Sequence, residues 1–337
     1  MSVKWLLPVF FWLLVMPAPA DARDQIHIVS SSTVYPFAGL VAEHFGKSSG
    51  FRAPVIESTG SGGGFKLFCA SIDADSPDIV GASRPIAKSE AKDCAAHEVG
   101  LIGEIVIGFD GIALVNAKSA HPYQLTRRQL FLAIAKTVPR DGKLIANPYA
   151  RWSEIDPALP SDPILVFGPA PNHGTRDVLL DLVMERSCQA FPEISGLEPI
   201  ARKQVCEHLR EDGHFIEVSE NYTIILRKLV GEPNALGILP FSYLDQNGDK
   251  IQAATLEGFV PSYDNIYNLS YPLARPLFLY VKTSHIPVTH GILEYLTEFL
   301  SEKACGKDGY LADHGLIVLS EAARQVEREK LEAWRHR

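Results

Sequence analysis

The chain has 337 residues, of which 46% are hydrophobic and 21% are charged, so it can bury a sizeable core, most naturally in two domains. Its formal net charge of −8 argues against nucleic acid or an anionic membrane surface as a partner, because both would repel an acidic protein. A small anion is compatible with this charge, since local N–H groups and one or two arginines can outweigh a distant negative field.

The N-terminal residues have the pattern of a secretory signal peptide over 1–22. Lys4 precedes an apolar run over 5–16, and small residues and prolines follow. The run is short for a membrane span, and no second candidate follows it. We predict cleavage after Ala20 or Ala22. Neither point has a cysteine, so a lipid anchor is not indicated. The sequence therefore predicts an exported, soluble protein.

The chain has five cysteines, and disulfides suit an exported protein. Zinc is the alternative, but the sequence has no CxxC or HxxxH cluster, and we expect neither metal nor cofactor. Pairing cysteines that are close in sequence is the most economical arrangement. It predicts the pairs Cys69–Cys94 and Cys188–Cys206, with Cys305 free.

Three strand-to-turn units fill the first ninety residues of the chain. A strand over 25–30 leads into the serine and threonine turn 31–33 and then into an apolar stripe at helical spacing. A second strand, around residues 54–56, leads into the glycine-rich segment 58–66, and a third leads into 81–85. Each turn presents hydroxyls at the end of a strand, which is typical of the ligand side of an open α/β sheet.

The glycine-rich segment 58–66 is a local signal for an anion site. Glycines tolerate positive φ and let backbone N–H groups approach a ligand closely. A helix that begins there adds unpaired N–H donors and the positive end of its dipole, and both favour an anion. The alternative is an ordinary flexible turn, just as the hydroxyls of 31–33 can serve as a helix N-cap. The recurrence of three such units favours a site.

The second half of the chain repeats this pattern between two long strands. A continuous apolar pattern over 105–115 predicts a strand long enough to cross between two domains, and 277–281 predicts a second crossing strand. Between them, a buried strand at 164–167 leads into a turn and then a helix. In this turn His173 is either a surface residue or a ligand. Thr175 suits a helix N-cap in either case, and Arg176 contacts either solvent or an anion.

Seven segments, taken in this order, resemble the periplasmic phosphate-binding proteins of phosphate ABC transporters, within the type II periplasmic binding protein group. Each motif is weak alone, but their order is specific, and the resemblance covers roughly residues 25–320. The segments are 31–36, 60–66, 81–83, 110–113, 174–176, 234–238 and 271–277.

The resemblance implies an α/β fold with two domains, each a sheet flanked by helices, joined by crossing hinge strands. It assigns 23–111 and 278–337 to domain 1 and 112–277 to domain 2. It further implies a monomeric periplasmic receptor that is not an enzyme. Such a receptor would bind inorganic phosphate between the domains and deliver it to an ABC transporter permease in the inner membrane.

The same resemblance implies which residues bind phosphate. Thr33 and Val34 would supply the first-turn contacts, Val34 through its N–H, and Ser61 would supply a hydroxyl from the second turn. Gly174, through its N–H, and Thr175 would close over the ligand from the other domain. The complete set is Ser32, Thr33, Val34, Ser61, Gly62, Ser83, Arg84, His173, Gly174, Thr175 and Arg176.

Three positions depart from the family pattern. Arg84 stands where many members have an aspartate that accepts the proton of phosphate, and we expect Asp110 to take that role. Pro169 stands where an arginine is common before the second-domain motif. His173 replaces the hydroxyl residue that accompanies that arginine in the family. The segment 219–222 replaces a Gly-Asn-Asp-like one. A receptor for another oxyanion, or a phosphate sensor without a permease, is therefore an open alternative.

A secreted serine hydrolase is the remaining alternative. Residues 59–63 approach the G-x-S-x-G turn, in which Ser61 would be the nucleophile, but a threonine stands at its first position. The histidines show no recognisable triad context. The sequence favours binding over catalysis.

Overall fold

The computed structural model describes residues 23–73, 75–171, 174–218 and 222–336. The predicted signal peptide and His173 lie outside these described residues. Within the described ranges, no helix combines the length and the apolar composition that crossing a membrane requires.

Strands and helices alternate through most of the described chain. The strands are β1 His27–Ser30, β2 Val55–Ser58, β3 Ile79–Ala82, β4 Ile102–Ala117, β5 Gln124–Leu125, β6 Thr137–Arg140, β7 Lys143–Ala146, β8 Val166–Pro169, β9 Phe215–Val218, β10 Leu236–Pro240, β11 Ile251–Ala253, β12 Thr255–Leu256 and β13 Ala274–Lys282. The α-helices are α1 Tyr35–Ser48, α2 Gly60–Phe68, α3 Lys88–Ala96, α4 Arg127–Ile134, α5 Trp152–Ile155, α6 Gly174–Leu179, α7 Arg186–Cys188, α8 Pro192–Ser195, α9 Pro199–Glu207, α10 Tyr222–Gly231, α11 Phe241–Gln246, α12 Tyr263–Tyr267, α13 Ile292–Phe299, α14 Glu302–Cys305, α15 Tyr310–Asp313 and α16 Glu321–Arg335. A π-helix, Leu180–Glu185, joins α6 to α7, and a 3-10 turn, Thr283–His285, follows β13.

One large mixed sheet has the strand order β2-β1-β3-β13-β4-β10-β8-β9, and β11 also pairs with β4. β1 is parallel to β2 and β3, and β8 is parallel to β9 and β10. β13 and β4 run antiparallel to each other between these two parallel groups. The carboxyl ends of β1, β2 and β3 therefore lie at the same edge of the sheet.

The long strand β4 belongs to both groups. Its residues 102–111 pair with β13, whereas its residues 112–117 pair with β10 and β11. The register between β4 and β13 shifts beside Leu277, opposite Gly108, which has a φ of +148°. Such a bulge bends a strand and increases its twist. Both predicted long strands are confirmed, as β4 and β13.

Buried apolar side chains form separate cores toward the two ends of this sheet. The cores that contain Phe45 and Phe65 draw their buried members from 26–107 and 277–331. The cores that contain Phe131 and Val115 draw nearly all of theirs from 112–273. Two domains would produce this separation, and the domain bounds given above stay a prediction.

The predicted cysteine pairing is confirmed. One disulfide joins the end of α2 to α3, and the other joins α7 to α9. The free thiol on α14 is buried and lies 3.3 Å from the carbonyl oxygen of Ile107, and burial raises its pKa to about 11. The disulfides are Cys69–Cys94 and Cys188–Cys206, and the free cysteine is Cys305.

We expect Gly108→Ala to lower the free energy of unfolding by about 2–6 kcal/mol, because strain at a positive φ and overpacking each cost roughly 1–3 kcal/mol. A Cβ at residue 108 would lie 2.7 Å from the Ile317 carbonyl oxygen and 2.9 Å from Leu316 Cδ1. Gly39→Ala on α1 is the control, because a Cβ there meets nothing within 4 Å. Urea unfolding measures the stability of both variants. A Gly108→Ala variant as stable as wild type would contradict the described bulge.

Candidate functional site

The ends of β1 and β3 meet the following turns at one edge of the sheet. The Ser31 N–H donates to the Gly81 carbonyl at 2.7 Å, and the Thr59 N–H donates to the Ser30 carbonyl at 2.8 Å. A Cβ at residue 81 would collide with the Ser30 side chain and lie 2.8 Å from Val34 Cγ1. Glycine at this position therefore lets the three predicted turns come together.

Ser61 and Ser83 face each other across the second and third turns. α2 begins at Gly60, whose φ is +72°, so the glycines form the first turns of the helix rather than a loop before it. The Ser61 hydroxyl accepts a hydrogen bond from the Ser83 N–H at 3.1 Å and lies 3.3 Å from the Ser83 hydroxyl. Ser61 thus has a structural role of its own.

Arg84 is paired with a carboxylate. Its two terminal nitrogens donate to Glu90 at 2.8 and 2.7 Å, and these hydrogen bonds raise the pKa of Arg84. The same carboxylate accepts the Ala87 N–H at the start of α3. A Cβ at Gly62 would lie 3.7 Å from Arg84 Nη2, so the guanidinium lies beside the glycine-rich helix. The Arg84 side chain is 41% exposed and is therefore still accessible to an anion.

Thr33 and Val34 are buried in the first turn. The Val34 N–H donates to the Ser31 hydroxyl at 3.2 Å, so this amide already has an acceptor. The Thr33 hydroxyl accepts a hydrogen bond from Arg275 Nη2 at 2.5 Å. The first turn is thereby tied to the start of β13.

Arg275 is a buried cation beside this turn, with 6% of its side chain exposed. Its Nε forms an ion pair with Asp110 at 3.6 Å, and its Nη1 donates to Asp181 at 3.2 Å. Burial raises the pKa of Asp110, against the opposing effect of the Arg275 charge. A buried guanidinium needs such partners, because an unpaired buried charge is strongly destabilising.

The start of α6 lies directly against the first turn. A Cβ at Gly174 would lie 3.0 Å from Cα and 3.1 Å from Oγ1 of Thr33, so the absence of a side chain permits this approach. Asp177, on the same helix, accepts a hydrogen bond from the Ser32 hydroxyl. These contacts bring predicted residues from the two halves of the chain together.

Arg176 forms its contacts elsewhere. Its Nη2 lies 2.9 Å from Glu217 Oε1, and its Nη1 donates to the Pro169 carbonyl at 3.1 Å. Burial lowers the pKa of Arg176. The neighbouring Thr175 hydroxyl lies 2.5 Å from the Tyr222 hydroxyl. Of the two residues, only Thr175 is at the cleft described next.

A cleft of about 1080 Å³ contains part of the predicted set. Asp110 also lines it. The other predicted residues that the structure describes do not line this cleft. Four form a second group beside the first turn, one is in the core and one contacts Glu217. Those lining the cleft are Ser32, Thr33, Gly174 and Thr175; the second group is Ser61, Gly62, Ser83 and Arg84; Val34 is in the core and Arg176 contacts Glu217.

Arg275, Asp177 and Asp181 contact this site although sequence reasoning did not assign them to it. Arg275 lies in the 271–277 segment that carries the resemblance, at the start of a strand that is apolar from Pro276 to Val281. A charge in such a strand requires a partner, and that signal could have identified it. The two aspartates offer no comparable signal.

A family model described as the PBP superfamily domain matches residues 16–303. The chain belongs to the PBP superfamily.

Individual relatives agree with this family. Protein SphX of Synechocystis sp. is 29% identical over 324 residues, covering 91% of this chain and 84% of that protein. Phosphate-binding protein PstS of Staphylococcus saprophyticus is 23% identical over 308 residues, covering 90% of this chain and 82% of that protein. A solved structure described as a possible phosphate binding protein from Planctomyces limnophilus has a TM-score of 0.73 at 23% identity, covering 93% of this chain and 99% of that one. The resemblance predicted from sequence and the α/β fold class are therefore confirmed.

In this PBP-superfamily chain, we expect Ser61→Ala to destabilise the ligand-free protein by about 1–2 kcal/mol, because the buried Ser83 N–H would lose its acceptor. Ser83→Ala is the matched control, since it removes a hydroxyl from the same pair and leaves the hydrogen bond from the backbone N–H of residue 83 to the Ser61 hydroxyl intact. Thermal unfolding in phosphate-free buffer compares them. A larger loss for Ser83→Ala would contradict the described pairing.

Proposed function

We propose that this protein is a receptor that binds inorganic phosphate in the described cleft and delivers it to an ABC transporter permease. One observation carries the proposal. The start of α6 is packed against Thr33, whose hydroxyl is bound by the buried Arg275, so polar groups from both halves of the chain converge on one cleft. The names of the relatives, phosphate-binding protein among them, support phosphate as the anion.

The chemistry of these groups suits a phosphate. A dianion needs several donors, and hydroxyls, helix N-terminal N–H groups and guanidinium groups supply them without any reaction. Thr33, Gly174 and Thr175 would contact the anion within the cleft, and Arg275, beside Thr33, would donate to it as well. Ser61 and Arg84 would contact it from the adjacent turns.

Asp110 remains our candidate for the residue that distinguishes phosphate from sulfate. It lines the cleft and lies beside Arg275. Its raised pKa makes it a better proton acceptor, which favours a protonated oxyanion over one without a proton.

Binding would close the two proposed domains on the ligand as hinged bodies. β4 and β13 are the strands suited to act as the hinge, because they lie between the two parallel groups of the sheet. The closed form would be the one that the permease accepts. The predicted signal peptide supports a periplasmic location, and we propose that the receptor acts as a monomer.

A hydrolase using Ser61 has less support. Among the described residues, the Ser61 hydroxyl contacts the backbone N–H and the hydroxyl of Ser83. Neither group can act as a general base. A nucleophilic serine requires such a base within hydrogen-bonding reach.

Calorimetric titration with phosphate and sulfate tests the proposal. We expect wild type to bind phosphate in preference to sulfate, and Arg84→Ala to weaken phosphate binding by about 10- to 100-fold, because a hydrogen bond to a charged group contributes roughly 1.5–3 kcal/mol. Arg127→Ala is the control, since it also removes an arginine from a pair with a glutamate, Glu257 at 3.7 Å. We expect it to bind normally.

The outcomes separate the alternatives. A wild-type chain that does not bind phosphate would overturn the proposed function. Equal affinities for phosphate and sulfate would widen it to a general oxyanion receptor. Normal binding by Arg84→Ala would leave Arg275 as the cation of the site.

A further inference from the structure

The inference concerns two aspartates that contact the site from one helix. Asp177 is on α6, and Asp181 is in the first turn of the π-helix that continues it. They are four residues apart and thus about one turn apart along the helical segment. A π-helix is rare and often marks a functional site.

Both carboxylates accept hydrogen bonds from groups at the proposed anion site. Asp177 accepts from the Ser32 hydroxyl. Asp181 accepts from Arg275 Nη1 at 3.2 Å, and Nη2 of the same guanidinium donates to the Thr33 hydroxyl.

Asp181 also acts on the second arginine of the site. The pKa of Arg84 is raised first by its hydrogen bonds to Glu90 and to a smaller degree by the negative charge of Asp181. The Asp181 carboxylate therefore lies within electrostatic reach of Arg84 as well as in contact with Arg275.

Asp181 is the exposed partner of its ion pair with Arg275. Its side chain is 60% exposed, whereas that of Arg275 is 6% exposed. The aspartate can therefore swing into solvent, while the arginine stays fixed by Thr33 and Asp110. An oxyanion that takes the place of Asp181 at Arg275 leaves the buried guanidinium with an acceptor, so the exchange does not strand a buried charge.

We propose that Asp177 and Asp181 are built-in competitors that occupy the anion's donors in the ligand-free protein and are displaced when the anion binds. A carboxylate edge presents two acceptor oxygens, as an oxyanion does, so both groups suit the same donors. The observed affinity is then the intrinsic affinity multiplied by the fraction of molecules whose donors are free. The two aspartates lower affinity and favour release. This inference rests on the proposed function.

Asp181→Asn tests the competition by calorimetric titration with inorganic phosphate. The amide keeps the size of the side chain but loses its charge, so it binds Arg275 less well and no longer repels the anion. We expect the phosphate affinity to increase roughly two- to fivefold, because the anion no longer has to displace a charged competitor. Asp177→Asn should change affinity in the same direction.

Glu185→Gln is the matched control. It removes one negative charge by the same kind of change on the same π-helix, but Glu185 contacts Gln189 rather than a donor of the site. Its phosphate affinity should stay within error of wild type. An equal gain in this variant would assign the effect to the general field of the protein and overturn the inference.

The remaining outcomes are distinct. If wild type binds phosphate and Asp181→Asn binds it equally or more weakly, the inference is overturned and the proposed function stands. If wild type does not bind phosphate, both are overturned. A gain confined to the two aspartate variants supports both.

Discussion

The guanidinium of Arg275 is the group on which the geometry of this site depends. A charge with so little exposure must be surrounded by acceptors, because the alternative is an uncompensated buried ion. Thr33 in the first turn and Asp181 in the π-helix accept hydrogen bonds from it, and Asp110 in β4 forms an ion pair with it. Satisfying one cation at the start of β13 therefore brings together three parts of the chain that are far apart in sequence.

Two close backbone approaches complete the arrangement. Gly81 lets the end of β3 lie against Ser30, and Gly174 lets α6 lie against Thr33. Neither contact has room for an ordinary side chain. Hydroxyls, helix N-termini and arginines then meet at the edge of a sheet, where their charges act in a partly water-excluded space. That combination can bind an anion reversibly without performing chemistry on it.

Much of the fold follows from local patterns in the sequence. The strands, the glycine-rich helix start and the cysteine pairing depend on periodicity and short spacing, which a sequence displays directly. The direction in which a long polar side chain points does not follow from such local patterns. Arg84 reaches Glu90 on α3, and Arg176 on α6 reaches Glu217 on β9, so two arginines predicted for the anion already have partners. The contact between Asp181, in the π-helix, and Arg275 joins residues 94 positions apart, and no local pattern displays it.

A crystal structure of the protein with bound inorganic phosphate tests the central claim most directly. The account predicts an anion in the cleft beside Thr33 and the N–H groups at the start of α6. It also predicts that the Asp181 carboxylate has left Arg275, whose Nη1 then faces the anion. An anion bound away from these groups, with Asp181 still on Arg275, would contradict the account.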